Sequence, residues 1–149
     1  GVYLGEFLTL RTGGNGMYCI FCKIANHEIS SYPIYEDEQT YAFLDIAQDV
    51  DGHTLVIPKK HAENVLDVDD ETLKHLIGVV RKIANHYVND CGYDGVNILN
   101  ASGSSAQQSV FHLHFHIIPR KKDDGIDAWP HFSSAKESLE QMRPRLKKQ

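Results

Sequence analysis

The amino-acid sequence predicts an α+β fold built on an antiparallel β-sheet. Several short segments alternate apolar and polar residues, which is the spacing of strands that bury one face. These segments follow one another along the chain, and a single long segment with helical spacing stands apart from them. Consecutive strands with a segregated helix are typical of an antiparallel sheet rather than of alternating parallel units.

The predicted strands lie where alternating or β-branched residues stand between turn residues. An Asp51-Gly52 pair supplies the turn between the second and third of them. The five segments are residues 33–36, 40–46, 53–58, 95–100 and 109–120.

The clearest helix is predicted within residues 67–92, where apolar residues recur with helical spacing. Asp69 or Asp70 can cap its first turn, and Gly92 is placed to end it. A second, short helix is expected at residues 134–148.

The capping box expected for that tail helix is formed by Ser134 and Glu137.

Length and composition restrict the class of protein. A chain of 149 residues is long enough for one domain, and it contains no apolar run long enough to span a membrane. Residues 120–149 hold eight Lys/Arg and five Asp/Glu, so the net charge of −5 leaves −8 on the rest of the chain. This argues against a broad basic face for nucleic acid. Three cysteines do not make a disulfide framework, and we expect a cytoplasmic protein.

The chain divides into three parts. Residues 1–16 lack the basic start of a signal peptide and end in a Gly-rich stretch, so we interpret them as a remnant of cloning or a disordered leader. Residues 17–120 are predicted to form the domain, and residues 121–149 a C-terminal tail with a short helix.

Three histidines alternate with apolar residues in the segment SVFHLHFHIIPR; they are His112, His114 and His116. On a strand they would lie in a row on one face, with the apolar residues in the core. Neighbouring imidazolium charges repel, so the row is stable with its rings neutral, metal-bound or opposite an anion. The preceding loop, NASGSSAQQS, is rich in small residues and donors that can turn towards an anion. A neutral imidazole there can attack phosphorus.

Metal binding is a second interpretation of the same row, since three histidines form the catalytic zinc site of some hydrolases. The C-x-x-C pair of Cys19 and Cys22 is a further metal or redox candidate and needs other ligands. His61, directly after VIPKK, is available to it. A four-ligand site built this way would leave part of the histidine row free.

Four motifs resemble those of the histidine-triad (HIT) nucleotide hydrolases and transferases, close to the Hint branch with a C-x-x-C. The resemblance implies a HIT-like fold with about five antiparallel strands and two main helices. It also implies a homodimer in which the long helix and a sheet edge meet their symmetry mates. The motifs are CIFCKI (19–24), YEDE…AFLDI (35–46), GHTLVIPKKH (52–61) and QSVFHLHFHIIPR (108–120).

The resemblance implies that His114 is the nucleophile. It would attack the α-phosphorus of a purine nucleotide derivative such as a nucleoside phosphoramidate or a dinucleoside polyphosphate, and form a nucleotidyl-histidine. His116 would hydrogen-bond the phosphate oxygens, while Gln108 and Ser109 would hold the bridging atom and the phosphate. Two alternatives stay open: a nucleotide-binding regulatory module with weak activity, and a three-histidine zinc metallohydrolase.

The resemblance also implies a structural Zn²⁺ and no organic cofactor. The implied ligands are Cys19, Cys22, His61 and His112.

The implied nucleotide-binding residues begin with Asp45, which would bind the ribose. Counting back from Gly103, the usual family asparagine falls on Ala101, so Asn100 is the remaining candidate for the phosphate contact. The base would be walled by apolar side chains, namely Ile20, Phe21, Ile24, Phe43 and Ile46.

Overall fold

A computed structural model describes residues 18–149, so the interpretation of residues 1–16 lies outside the described residues. Its five strands form one antiparallel sheet in the order β1-β2-β3-β5-β4, which confirms the predicted α+β class. The strands are β1 Pro33–Glu36, β2 Thr40–Leu44, β3 Thr54–Pro58, β4 Gly95–Leu99 and β5 Phe115–Arg120. The helices are α1 Ile20–Ala25, α2 Asp70–Asp90 and α3 Leu139–Leu146.

The central strands are buried on both faces because a helix packs on each side. Along β3, Leu55 and Ile57 join the core cluster beneath α1, whereas Val56 between them joins the cluster beneath α2. All five residues of β3 are buried. β3 and its neighbour β5 therefore form a rigid part of the core, between the two helices.

Helix α2 begins and ends at the predicted signals. The Asp69 carboxylate accepts the Thr72 N–H at 3.1 Å, which satisfies one of the free amides of the first turn. The helix closes at Cys91, and Gly92 adopts a φ of 83°, a left-handed conformation that glycine accepts without strain.

The histidine strand is shorter than predicted, because β5 begins at Phe115 rather than at residue 109. Before that point the chain leaves the ladder and bonds to the end of β3 and to the segment after it. The Leu113 N–H donates to Ala62 O at 2.8 Å, and His112 Nε2–H donates to Pro58 O at 2.7 Å. These bonds, which are not part of the ladder, therefore shorten the strand.

The predicted capping box of the tail is wrong. Helix α3 starts one turn later, where Ser138 Oγ accepts the Gln141 N–H at 3.2 Å and Gln141 Oε1 accepts the Ser138 N–H at 2.9 Å. Glu137 instead forms an ion pair with Arg145. The box therefore uses Ser138 and Gln141, and not Ser134 and Glu137.

Within residues 18–149, no helix has the length and apolar character that a membrane crossing requires.

Candidate active site and metal centre

The three histidines lie on the face of the sheet that carries α1. The Phe21 ring meets His112 and His114 edge-on, at centroid distances of 6.1 and 5.3 Å. The His114 and His116 rings are 4.9 Å apart. The intervening Leu113 is buried in the opposite cluster, beneath α2. The alternation in the sequence therefore separates the imidazoles from the core residues between them.

The rings nevertheless point to different partners. Two groups of side chains in the described part of the chain can hold a metal, and each contains only one member of the row. The geometry thus gives no three-histidine centre of the kind that the metallohydrolase interpretation requires.

His112 belongs to the cysteine pair. Its Nδ1 lies 3.2 Å from Cys19 Sγ, 3.4 Å from Cys22 Sγ and 3.1 Å from His61 Nδ1. In tetrahedral zinc sites with ordinary bond lengths, neighbouring ligand atoms are about 3.3–3.8 Å apart. The three distances from His112 Nδ1 therefore match a closed Cys₂His₂ site to within a few tenths of an ångström, and all four ligand atoms lie within 4.8 Å of one another. The bond from His112 Nε2–H to Pro58 O fixes the ring with Nδ1 facing the sulfurs, as the outer shell of a metal site does.

The pKa values of the Cys19 and Cys22 thiols are shifted in opposite directions. A hydrogen bond from the Cys22 side chain lowers the pKa of Cys19 to about 3; burial opposes this shift and His112 adds to it. The neighbouring Cys19 sulfur and burial raise the pKa of Cys22. A pair that already carries one thiolate is suited to a cation, which would remove the second proton as well.

His114 is fixed by the main chain just before it. The ring is buried, and its Nδ1 lies 2.7 Å from His112 O. A carbonyl only accepts, so Nδ1 carries the proton and Nε2 keeps the lone pair. Burial lowers the pKa of His114 below its usual 6.5, which keeps the ring neutral near pH 7.

His116 is the inner residue of a hydrogen-bonded chain that continues through His53 to Asp49. Its Nδ1 lies 2.9 Å from His53 Nε2, and His53 Nδ1 lies 2.7 Å from Asp49 Oδ1. Since the carboxylate accepts from His53 Nδ1, His116 Nδ1–H donates to His53 Nε2. Burial, together with His114, lowers the pKa of His116 to about 3.

His53 is the site residue that sequence reasoning missed. It stands at the start of GHTLVIPKKH, where it reads as an ordinary strand-end histidine. The register that pairs Leu55 with His116 brings it to the row from 63 positions away. The available signal was its position directly after the Asp51-Gly52 turn.

The Gln108 side chain forms hydrogen bonds both to its own loop and to the segment after His61. Its Nε2 donates to Glu63 O at 2.7 Å and to Val110 O at 3.0 Å. Its Oε1 accepts from Asn64 Nδ2 at 3.2 Å and from Gly103 N at 2.9 Å. Gln108 therefore ties the loop before the histidines to the segment after His61, and its phosphate role stays a prediction.

Asn100 lies against the predicted nucleophile despite the shift of the loop glycine. Its Nδ2–H donates to His114 O at 2.9 Å. Beyond it in the loop, Gly103 and Gln107 adopt positive φ values of 97° and 70°. Ser109 is half-buried beside this loop.

Asp45 follows β2, and its side chain is 7% exposed. Its Oδ1 accepts the Ala47 N–H at 2.8 Å, which ends the strand at Leu44.

The proposed base wall is almost entirely inside the core. Ile46 is 45% exposed, whereas the other four side chains are at most 3% exposed and pack together in the core cluster between α1 and the sheet. Packing accounts for those four, which are Ile20, Phe21, Ile24 and Phe43; a contact with a base stays a prediction.

An open cleft of about 400 Å³ adjoins His53 and His116. Asn100 and Gln107 line one side, and Asp127 of the tail lines another. The tail is turned towards the cleft by Arg120, which donates to Asp124 and to Ile126 O. A small molecule in this cleft would lie directly against His53 and His116.

Comparison with known proteins agrees with this geometry. Residues 26–123 match the HIT domain. The chain belongs to the HIT domain family. This confirms the resemblance that the four motifs indicate. The HIT proteins described next are similar to this chain over most of the domain.

Two sequence relatives and one solved structure represent the matches. "Protein hit" of Bacillus subtilis is 52% identical over 111 residues, which are 74% of this chain and 77% of the relative. Adenosine 5'-monophosphoramidase HNT1 of Saccharomyces cerevisiae is 39% identical over 114 residues, 75% of this chain and 70% of the relative. A zinc-bound histidine triad family protein from Mycobacterium smegmatis superposes with a TM-score of 0.71 at 38% identity, over 75% of this chain and 81% of the other.

Proposed function

We propose that this HIT protein is a nucleotide hydrolase or nucleotidyl transferase that cleaves at the α-phosphate through a covalent nucleotidyl-His114. The substrate would be a purine nucleoside phosphoramidate, such as an AMP derivative, or a dinucleoside polyphosphate. The observation that carries the proposal is the 2.7 Å contact between His114 Nδ1 and His112 O, because it leaves Nε2 with a lone pair. The yeast relative named an adenosine 5'-monophosphoramidase supports the phosphoramidate class.

The reaction would take two displacements. His114 Nε2 attacks phosphorus, the P–N bond of the phosphoramidate breaks, and the leaving amine takes up a proton from solvent. Water then attacks the same phosphorus and releases a proton to solvent, the bond to Nε2 breaks, and the nucleoside monophosphate leaves as His114 returns to its neutral form. A covalent intermediate divides one difficult substitution into two easier ones.

The neighbouring groups would hold the phosphoryl oxygens during both steps. His116 is oriented by His53, Asn100 bonds to His114 O, and Ser109 precedes the row by three residues in the sequence. Donors fixed in advance around phosphorus stabilise the charge that develops there. Asp45 would hold the ribose.

The metal is proposed as a structural Zn²⁺. Cys19, Cys22, His61 and His112 would hold it, and it would cross-link α1 to the segment between β3 and β5. The zinc-bound relative from Mycobacterium smegmatis supports this assignment. The His112 carbonyl, which fixes His114, belongs to one of these four ligand residues.

Metal analysis of wild type and of the Cys19→Ser/Cys22→Ser double variant tests the metal site. We expect the variant to lose zinc and to unfold at lower temperature. Zinc that stays bound and is required for turnover would contradict the structural site and favour a three-histidine metallohydrolase.

A His114→Ala variant tests the enzyme. Removing a nucleophile should lower the turnover of an adenosine phosphoramidate by a factor on the order of 10⁴ or more. AMP binding, followed by calorimetry, should stay within about tenfold of wild type, since uniform binding does not need the nucleophile. The exposed His86, changed to Ala, is the matched control and should leave turnover unchanged.

Two results would contradict the enzyme assignment. Wild-type turnover by His114→Ala would exclude the nucleophile. Negligible turnover of every candidate substrate by the wild type, with tight AMP binding, would favour a nucleotide-binding regulatory module.

A homodimer is proposed as the assembly. β4 is the edge strand of the sheet, and its Ile98 is 45% exposed; on α2, Ile77 is 44% exposed. Light scattering should give twice the chain mass, and Ile77→Glu should shift it towards the monomer.

The free thiols of Cys19, Cys22 and Cys91 fit a reducing compartment, so we place the protein in the cytoplasm.

A further inference from the structure

A second group of metal-binding side chains borders the cleft through His53 and His116, separate from the cysteine site. Asp45, His53 and His116 present ligand atoms that all lie within 4.8 Å of one another. His53 Nε2 is 2.9 Å from His116 Nδ1 and 3.8 Å from Asp45 Oδ2. We call these three residues the cleft cluster. Asp45 and His53 come from the β2–β3 connection, and His116 is the second residue of β5.

The cleft cluster is held rigidly from behind. The side chains of Asp45 and His53 are only 7% and 8% exposed. Asp49 accepts the His53 Nδ1–H at 2.7 Å, and the Ala47 N–H fixes Asp45 Oδ1 at 2.8 Å. A carboxylate behind the far nitrogen of a histidine is the usual outer shell of a metal-binding imidazole. Asp45 Oδ2 remains directed at the two rings.

We propose that the cleft cluster binds a divalent transition-metal cation of the zinc class, with the remaining coordination positions open to the cleft. Two imidazole nitrogens and one carboxylate oxygen are ligands that Zn²⁺ prefers, whereas Mg²⁺ and Ca²⁺ favour oxygen ligands. Two metal–nitrogen bonds of about 2.0–2.1 Å would place the ring nitrogens about 3.3 Å apart in a tetrahedron. The observed 2.9 Å requires only a small opening of the pair.

The rings can accept the cation by moving one proton. His53 Nε2 already carries a lone pair, because its Nδ1–H donates to Asp49. His116 Nδ1 becomes a ligand when its proton transfers to Nε2 of the same ring, where it faces the cleft. The Asp45 carboxylate supplies the negative charge that partly balances the cation. No further residue has to move into the site.

Such a cation would inhibit the proposed reaction. It would occupy the Asp45 oxygen expected to bind ribose and would fix the His116 ring expected to face phosphate. Zinc and nucleotide would therefore exclude one another. This consequence rests on the proposed function, whereas the binding of the cation does not.

A cobalt titration tests the cation site directly. The protein is first given one equivalent of Zn²⁺, which the two thiolates are expected to retain in the cysteine site. Co²⁺ is then added, and its visible absorption without a sulfur-to-cobalt band reports the cleft cluster. We expect one further equivalent to bind, so that two metal ions are counted by elemental analysis.

Substitutions assign the second ion. Asp45→Asn and His53→Gln should each lose the second equivalent while retaining the first. Asp49→Asn should weaken it by about 10–100-fold, the usual effect of removing an outer-shell carboxylate. His75→Gln is the matched control, because His75 contacts another carboxylate, Asp37, at 2.9 Å, and it should keep both equivalents.

Retention of the zinc equivalent and an unchanged circular dichroism spectrum show that a variant is folded. A single equivalent in wild type, or a second one that survives in both folded Asp45→Asn and His53→Gln, would overturn the proposal. Added AMP separates the two claims. If the second ion binds but AMP does not displace it, the cation site stands and the proposed nucleotide site fails.

Discussion

The His114 ring is oriented by the backbone of the residue two positions before it. The His112 carbonyl accepts a hydrogen bond from His114 Nδ1–H, while the His112 ring faces the cysteines. The proposed nucleophile and the proposed metal site thus share one residue, through its main chain on one side and its ring on the other. This arrangement explains why adjacent histidines of one row can have different tasks.

Asn100 gives a first prediction at this scale. Replacing it with Ala removes the bond to His114 O and leaves the segment before β5, which carries the proposed nucleophile, less well fixed. We expect kcat on an adenosine phosphoramidate to fall by about 10–100-fold, because small misplacements of reacting groups are costly. Steady-state kinetics measures the change.

Ser102→Ala is the control for that variant, since Ser102 belongs to the same loop; its hydroxyl accepts the Val65 N–H at 3.2 Å and reaches Asn100 only at 3.4 Å. It should keep kcat within about twofold of wild type, because neither contact involves His114. Equal losses in the two variants would show that general loop disorder, rather than the His114 contact, is responsible.

The sequence reveals residues whose signal is local. The alternation of His112, His114 and His116 and the spacing of Cys19 and Cys22 could be read directly. His53 could not, because its role depends on the pairing of β3 with β5. The grouping of His112 and His61 with the cysteines came through the family resemblance and not through spacing alone.

At the scale of elements, the turn between β2 and β3 places His53. Gly52 has a φ of 78°, and a Cβ there would lie 2.8 Å from Pro119 Cγ and 3.1 Å from Tyr93 Oη. The sequence predicts the Asp51-Gly52 turn, but only the structure shows why the glycine is needed. Local signals of this kind explain why most strand and helix positions were predictable.

Gly52→Ala should therefore destabilise the protein by about 1–3 kcal/mol, since alanine is strained at positive φ and the new methyl group crowds Pro119. Urea unfolding measures the change in the free energy of unfolding. The matched control is Gly78→Ala in α2, where nothing lies within 4 Å of the added Cβ and stability should rise or stay unchanged. An unchanged Gly52→Ala protein would contradict the account of the turn.

Elements that depend on distant contacts were less predictable. Helix α1 has only six residues, and Cys19 acts as its N-cap. The start of β5 depends on Ala62 and Pro58, which attract the backbone of Leu113 and the ring of His112. Neither feature has a periodic signal of its own.

At the scale of the whole molecule, Asp37 joins the β1–β2 hairpin to α2. Its Oδ1 accepts the Gln39 and Thr40 N–H groups at 2.8 Å, and its Oδ2 accepts from His75 and from Tyr35 Oη at 2.9 Å. Burial alone would raise the pKa of Asp37, but these bonds outweigh it and hold the pKa below 3.8.

A carboxylate with a lowered pKa stabilises the fold above its unfolded pKa, and this stability is lost as the pH falls through the folded pKa. The free energy of unfolding of wild type should therefore exceed that of Asp37→Asn by about 1–3 kcal/mol at pH 7. This difference should shrink below pH 3.8. Lys82, which donates to Tyr35 Oη, is the other charged group facing this network. Urea unfolding across the pH range measures it, and a difference that grows in acid would contradict the assignment.

The most direct test of the central claim is to stop the reaction during turnover and locate the nucleotidyl group. The enzyme is mixed with an adenosine phosphoramidate, quenched in base to preserve the P–N bond, digested and analysed by mass spectrometry. The account predicts an adenylyl group on His114, in the peptide that also contains His112 and His116. An adenylyl group on another residue, or full turnover after His114→Ala, would contradict it.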